Sequence, residues 1–394
     1  MDVEILLLLA VPAAFLLVAL GWFAARVDIK HLLEGSRQLP RSYFRGLNHL
    51  LNEQPDRAID SFIEALKADP ETVELHFTLG AMFRRRGETE RAIRIHQSLL
   101  ARSNLPQSER EKAQLEIGLD YLKAGMLDRA EDAFVSLRDG LLKREALESL
   151  VDVYEIEKEW SKAIEAAREL ERVSDVDQRK RISHYWCEIA QSALARSSFD
   201  DALNALDRAH QEDRTNVRAT LLRGDWLAAQ GRYDEAIDAW LAIEKQSVVH
   251  LALVAERVLN AHKTLGRTEQ GLHLLRNMLA QSPSIDVLET AHRETVAHQG
   301  PESAHELVLA ELKRAPTLIG LDKLVESRLT LAPAPLVPEL ELVKTLLHQH
   351  TRRLSRYTCG HCGFKARQFY WQCPGCRTWD AYVPRRTEEL EAMR

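Results

Sequence analysis

Apolar residues are distributed along this chain in three ways, and each predicts a different kind of element. The run ILLLLAVPAAFLLVALGWFAA, Ile5 to Ala25, holds 21 residues without a charge, and about 20 residues rising ~1.5 Å each cross a ~30 Å hydrocarbon core. It predicts one transmembrane helix. From about Pro40 to Leu331 apolar positions instead alternate with charged ones at helical spacing, in segments that resemble one another: LNEQPDRAIDSFIEALKADP, GETERAIRIHQSLL, GMLDRAEDAFVSL, KEWSKAIEAAREL, SSFDDALNALDRAH, GRYDEAIDAWLAI and GRTEQGLHLLRNMLAQSP. A small residue returns at Ala58, Ala92, Ala130, Ala163, Ala202, Ala236 and Gly271, at intervals of 34, 38, 33, 39, 34 and 35 residues. Gly46, Gly80, Gly118 and Gly224 each stand twelve residues before one of them. Paired amphipathic helices follow, the first of each pair admitting the second closely at its glycine. The prolines of APAPLVP, Ala332 to Pro338, end that pattern and allow a further helix from near Glu339 to about Leu354. The third distribution is the short C-terminal segment, dense in Cys, Gly and aromatic residues.

The period and the paired small residues resemble the tetratricopeptide repeat family from about Pro40 to Leu331. The signature aromatic falls four residues after the small one at Phe62, Phe134 and Trp240, and the closing proline at Pro70 and Pro283. Seven units are clear and an eighth, around GPESAHELVLAELKRAP, is degenerate. The implied fold is all-α, a superhelix of stacked helix pairs whose concave surface binds peptides or proteins. Phe62, Phe134 and Trp240 read as core, because their spacing is the packing pattern itself. Arg84, Arg85 and Arg86 end a first helix, where a cation complements the helix dipole. By register Arg84 and Arg85 also face the concave side, which makes them candidates for a partner's acidic segment. Cys187, beside Trp186, reads as a small packed residue.

Composition and charge refine this division. Gly (17) and Pro (13) are scarce in 394 residues, and 45% hydrophobic with 28% charged residues is a globular balance. The basic flank Arg26, Lys30, Arg37, Arg41 and Arg45 assigns the body of the chain to the cytoplasm. A cleaved signal peptide competes with the anchor, but it calls for a basic start, whereas this one carries Asp2 and Glu4. The net charge of -6 is unevenly spread: Thr351 to Arg386 holds eight basic residues and one acidic, leaving -13 for the remainder. The expected divisions are an anchor over 1–25, a linker over 26–39, the array over 40–331, a proline break and helix over 332–354, a metal ribbon over 355–386 and a tail over 387–394.

Four of the five cysteines stand in YTCGHCGFKARQFYWQCPGC as C-x2-C, ten residues, C-x2-C: Cys359, Cys362, Cys373 and Cys376. Two-residue gaps let each pair wrap one side of a tetrahedral ion, and the residues between suit a hairpin that folds one pair onto the other. Four thiolates leave no open coordination position, so one structural metal ion, zinc or iron, is expected rather than a catalytic one. Structural zinc contributes ~10 to 16 kcal/mol to finger peptides, far more than so small a core supplies. Two disulfides are the competing reading, and a reducing cytoplasm disfavours them. Phe364, Phe369, Tyr370, Trp371 and Trp379 could stack nucleic-acid bases or dock the ribbon on the acidic array; docking is the simpler use of charge and aromatics.

CGHCGF with CPGC is similar to the knuckles of rubredoxin, although rubredoxins separate their pairs by a longer segment. Anchor, repeat array and C-terminal ribbon in this order resemble the bacterial lipopolysaccharide assembly protein B family, most specifically in YTCGHCGF and YWQCPGC. The resemblance implies a non-catalytic inner-membrane adaptor of Gram-negative bacteria. Such an adaptor helps the membrane metalloprotease FtsH degrade the UDP-acyl-N-acetylglucosamine deacetylase that commits precursors to lipid A. No G-x-S-x-G, H-E-x-x-H, Walker A or G-x-G-x-x-G occurs, which agrees in kind with a binding module. A membrane-tethered zinc-ribbon nucleic-acid binder is the alternative and an electron carrier a third reading. Homo-oligomerisation is left open.

Overall fold

The computed structural model describes residues 40–354 and 356–391; the expected anchor and linker lie outside them. Among the described residues no helix is long and apolar enough to cross a membrane. The chain divides into two compact units at Ser149/Leu150. The first contains α1 (Arg41–Leu51), α2 (Pro55–Ala68), α3 (Val73–Arg85), α4 (Thr89–Leu100), α5 (Gln107–Ala124) and α6 (Leu127–Val135), and α7 (Lys143–Glu157) runs across the division. The second continues with α8 (Trp160–Ser174), α9 (Arg179–Ala195), α10 (Phe199–Glu212), α11 (Val217–Ala229), α12 (Tyr233–Leu241), α13 (Ala255–Thr264), α14 (Thr268–Gln281), α15 (Ile285–Gln299), α16 (Pro301–Arg314) and α17 (Leu318–Leu331). After the proline break come α18 (Val337–Leu354), strands β1 (Tyr357–Cys359), β2 (Lys365–Ala366) and β3 (Tyr382–Arg386), and α19 (Thr387–Glu391).

The helices pair because glycine and aromatic are one contact. A Cβ added at Gly46 would lie 2.6 Å from the Phe62 ring, at Gly118 2.5 Å from Phe134, and at Gly224 within van der Waals overlap of the Trp240 indole. Such distances require the missing side chain. The fourth glycine, Gly80, meets His96, which occupies the aromatic position of the second repeat. Where the glycine position holds Val151, Ala190 or Leu259, the aromatic position holds Ala167, Leu206 or Leu275. Volume is thus exchanged between the two positions, keeping the helices close.

The turn inside each pair obeys a rule that composition did not reveal. Five residues before every small residue the backbone is left-handed: Gly87, Gly125, Gly231 and Gly266 at φ 70 to 79°, but also Glu53 (56°), Lys158 (61°) and Ser197 (58°). In each case the following N–H donates back across the helix end, as from Glu88 to Phe83 O at 2.9 Å and from Glu159 to Tyr154 O at 2.9 Å. This is the Schellman closure, which satisfies carbonyls the helix leaves open. Glycine adopts the required φ without strain; the other three residues do so because the closure and packing hold them there.

Candidate metal centre and its seat on the repeats

The C-terminal segment folds as a three-stranded antiparallel sheet in the order β2-β1-β3, with two knuckles of matching geometry. In one, the Cys359 N–H donates to Phe364 O and the Gly363 N–H to Cys359 O; in the other, the Cys373 N–H donates to Thr378 O and the Arg377 N–H to Cys373 O. Gly363 (φ 74°) and Arg377 (φ 60°) occupy the same left-handed position. Each knuckle turns its two thiols inward. All four sulfurs lie within 4.8 Å of one another, with Cys359 to Cys376 at 3.8 Å and Cys362 to Cys373 at 3.7 Å. A tetrahedron with metal–sulfur bonds of ~2.3 Å has edges of about 3.8 Å, so the four residues fit one ion. The four cysteines are free thiols. The Thr378 hydroxyl, 3.3 Å from Cys376 Sγ, holds that thiol down to about 5. Cys187 stands apart on α9, fully buried, and burial pushes its thiol up to about 12.

Around the cluster, the ribbon meets the helices of the second unit along one edge. The carboxylate of Glu155, almost wholly buried near the end of α7, accepts from Arg181 Nε (2.8 Å), Tyr185 OH (2.6 Å) and Trp379 Nε1 (3.0 Å) on one oxygen. Its other oxygen accepts from Gln372 Nε2 (3.0 Å) and Arg377 (3.4 Å). Burial alone would raise the Glu155 pKa, but the bonds from Arg181, Tyr185 and Trp379 outweigh it and hold the carboxyl below its usual range. The Trp379 ring stacks on His184 at 4.7 Å, and His184 Nε2 lies 2.8 Å from Asp380. Trp371 lies nearly parallel to His250 at 6.0 Å and packs against the apolar core of the repeats.

A second edge ties β3 and α19 to the last repeats. Arg386 pairs with Asp286 (2.5 Å), which also accepts from Tyr357 OH (2.5 Å). Two adjacent carboxylates then cap two helices. Glu389 accepts from the Ile285 N–H at the start of α15 (3.1 Å), and Glu388 from the Leu318 and Ile319 N–H groups at the start of α17. Acceptors there satisfy open donors and meet the positive end of the helix dipole. These contacts lie in the stretch expected from sequence to be a tail.

The aromatic residues singled out in the sequence divide by location. Trp371, Trp379 and Phe369 reach the repeats, Phe369 meeting His250 edge-on at 6.5 Å. Phe369 packs edge-on to Trp371 at 5.0 Å and to Tyr357 at 6.0 Å, Tyr370 lies against Tyr382, and Phe364 is exposed over Gly375. In the first unit, Arg84 binds Glu116 (2.6 Å) and Asp120 (2.7 Å), so its guanidinium is engaged within the fold, while Arg85 is exposed. Asp120, fully buried, also accepts from His96 at 2.6 Å. Sequence reasoning missed Glu155, Asp120 and the α19 carboxylates. One signal was present for Glu155: eight residues before the small residue, where Leu50, Leu122 and Leu194 stand in other repeats, this one has an acid.

Known proteins carry the same parts. A profile described as "Tetratricopeptide repeat" matches residues 45–107 and 187–247, and one described as "Rubredoxin metal binding domain" matches residues 357–384. The crystal structure of MamA covers 44% of this chain, and 96% of its own, at 20% identity with a TM-score of 0.33, a likeness too slight to add to the fold. Lipopolysaccharide assembly protein B of Haemophilus influenzae is 28% identical over 400 residues, 98% of this chain and 99% of its own. Its counterpart in Escherichia coli K12 is 33% identical over 382 residues, 96% of this chain and 97% of its own. At 33% identity over nearly the full length of both chains, the chain belongs to the lipopolysaccharide assembly protein B family.

Proposed function

We propose that this protein is a non-catalytic adaptor of the bacterial inner membrane that regulates lipopolysaccharide synthesis. In this reading the run Ile5 to Ala25 is a single span with the body cytoplasmic. The repeats and ribbon present the lipid A pathway deacetylase, or other lipopolysaccharide assembly proteins, to the membrane protease FtsH. The observation that carries it is the match to the Escherichia coli relative over 96% of the chain, repeat array and ribbon together. The closed donor set supports a binding role, because a metal held by four thiolates has no position for substrate. Metal there would hold the two knuckles together through Cys359, Cys362, Cys373 and Cys376. An adaptor confined to a membrane raises the effective concentration of partners that share it, which accelerates their encounter without chemistry. The nucleic-acid reading is the weaker, since the faces of Trp371 and Trp379 are already occupied by His250 and His184.

The test uses cells lacking their own copy. The full chain should restore rapid turnover of the deacetylase, and Cys359→Ser should not. A deacetylase half-life that is the same with and without the full chain would sink the proposal.

A further inference from the structure

The helix α1 leaves much of its apolar surface outside its own fold. Its inward face is made of Ser42, Gly46 and half-buried Tyr43, with Gly46 and Tyr43 against the Phe62 ring. Its outward face carries Phe44 and Leu51, 59% and 83% exposed, flanked by Leu47 and Leu50. At 100° per residue Phe44, Leu47 and Leu51 fall in one stripe about 100° to 160° around from Gly46, while Arg41, Arg45, Asn48 and Asn52 lie together beside it. Among the described residues nothing closes over Phe44 or Leu51, and Leu47 at the edge of the stripe is partly covered. The helix contains no acidic residue, and among the described residues Arg45 pairs with the exposed Glu64, at 3.4 Å. Apolar side chains along one face and cations along its border are the pattern of a helix lying in the plane of a lipid surface.

We infer that α1 lies on the cytoplasmic leaflet, with Phe44, Leu47 and Leu51 among the acyl chains and Arg41 and Arg45 at anionic headgroups. The inference rests on the proposed span over Ile5 to Ala25. Only residues 26–40 separate that run from α1, so α1 cannot stray further than about 50 Å from the bilayer. Anionic headgroups complement a helix with arginines and no acid, and an apolar stripe held so near the bilayer has lipid as its most concentrated neighbour. Docking would seat the first repeat against the membrane and fix how the array meets membrane-bound partners.

The test places photoreactive p-benzoylphenylalanine, one position at a time, at Phe15, Phe44, Asn48 and Leu51 of the full chain. Membranes contain phosphatidylethanolamine with phosphatidylglycerol, and adducts are read by mass spectrometry. Lipid adducts at positions 44 and 51 should exceed those at 48 by roughly five-fold. They should fall when phosphatidylcholine replaces the anionic lipid. The double substitution Leu47→Asp with Leu51→Asp should remove the adduct at 44 while leaving that at 15. Adducts at 44 and 51 to residues 26–39 or to a second copy of the chain, or lipid labelling no greater than at 48, would overturn the inference. Position 15 separates the two readings: lipid adducts at 15 without any at 44 and 51 leave the span and remove the docking. Absence at 15 with labelling at 44 and 51 removes the span alone.

Discussion

Replacing Glu155 by glutamine should loosen the ribbon from the repeats without emptying its metal site. One carboxylate oxygen receives Arg181, Tyr185 and Trp379, the other Gln372 and Arg377. An amide supplies one acceptor and one donor group, so whichever way it points, its NH2 faces at least one obligate donor, Arg181 and Trp379 on one side or Arg377 on the other. Breaking one partner of a buried charged network costs about 3–5 kcal/mol. Arg181 and Tyr185 belong to the repeats, whereas Trp379, Gln372 and Arg377 belong to the ribbon, so about half of this loss weakens docking, by about 10-fold at the lower figure. Asp152 provides the contrast. It pairs with Arg181 and Arg377 but is 47% exposed, so Asp152→Asn should cost no more than ~1 kcal/mol. The assay is hydrogen exchange on the full, metal-loaded chain. In Glu155→Gln exchange should rise most across Tyr370 to Asp380 and less across Tyr382 to Glu391, which Asp286 and the two helix caps still hold. Metal content should not change. Exchange at Tyr370 to Asp380 no different from that of Asp152→Asn would refute the assignment of Glu155 as the anchor.

Other consequences are independently measurable. Elemental analysis should find one ion per chain, lost in Cys373→Ser and retained in Cys187→Ser, because only the former removes a ligand. Lys158→Gly and Ser197→Gly should each stabilise their unit by about 0.5–1 kcal/mol in denaturant unfolding, while Gly87→Ala should destabilise by a similar amount, since all three positions hold a left-handed φ. On acidification, the part of the docking that depends on ionised Glu155 persists at neutral pH and is lost as pH falls through its depressed folded pKa, below the usual carboxylate value of 4.5. Exchange at Tyr370 to Asp380 should therefore rise only at acid pH, and much less steeply in Glu155→Gln.

How much of this was legible in the sequence depended on whether a position repeats. Ala58, Ala92 and their equivalents, the four glycines and the aromatics Phe62, Phe134 and Trp240 recur because each unit solves the same packing problem, so spacing alone exposed them. The cysteines were legible for a similar reason: metal knuckles require two pairs at fixed gaps. The left-handed turn position was hidden, although it recurs in all seven units. Three of its occupants are Glu53, Lys158 and Ser197, whose chemistry gives no hint of a positive φ. His96 was hidden because a ring paired with buried Asp120 takes the place of a hydrocarbon ring. The seat of the ribbon was least legible. Glu155 and Trp379 are 224 residues apart, and no local pattern joins residues so distant. Glu388 and Glu389 look like an ordinary charged terminus until the open ends of α15 and α17 are seen beside them.

Reconstituted turnover tests the central claim most directly. Membranes containing FtsH and the deacetylase, with and without the full chain in the same bilayer, allow the deacetylase half-life to be followed by immunoblot. An adaptor predicts a shorter half-life that requires both the proteolytic activity of FtsH and an intact four-thiolate ribbon. An unchanged half-life, or loss of deacetylase on adding this chain without FtsH, would contradict it.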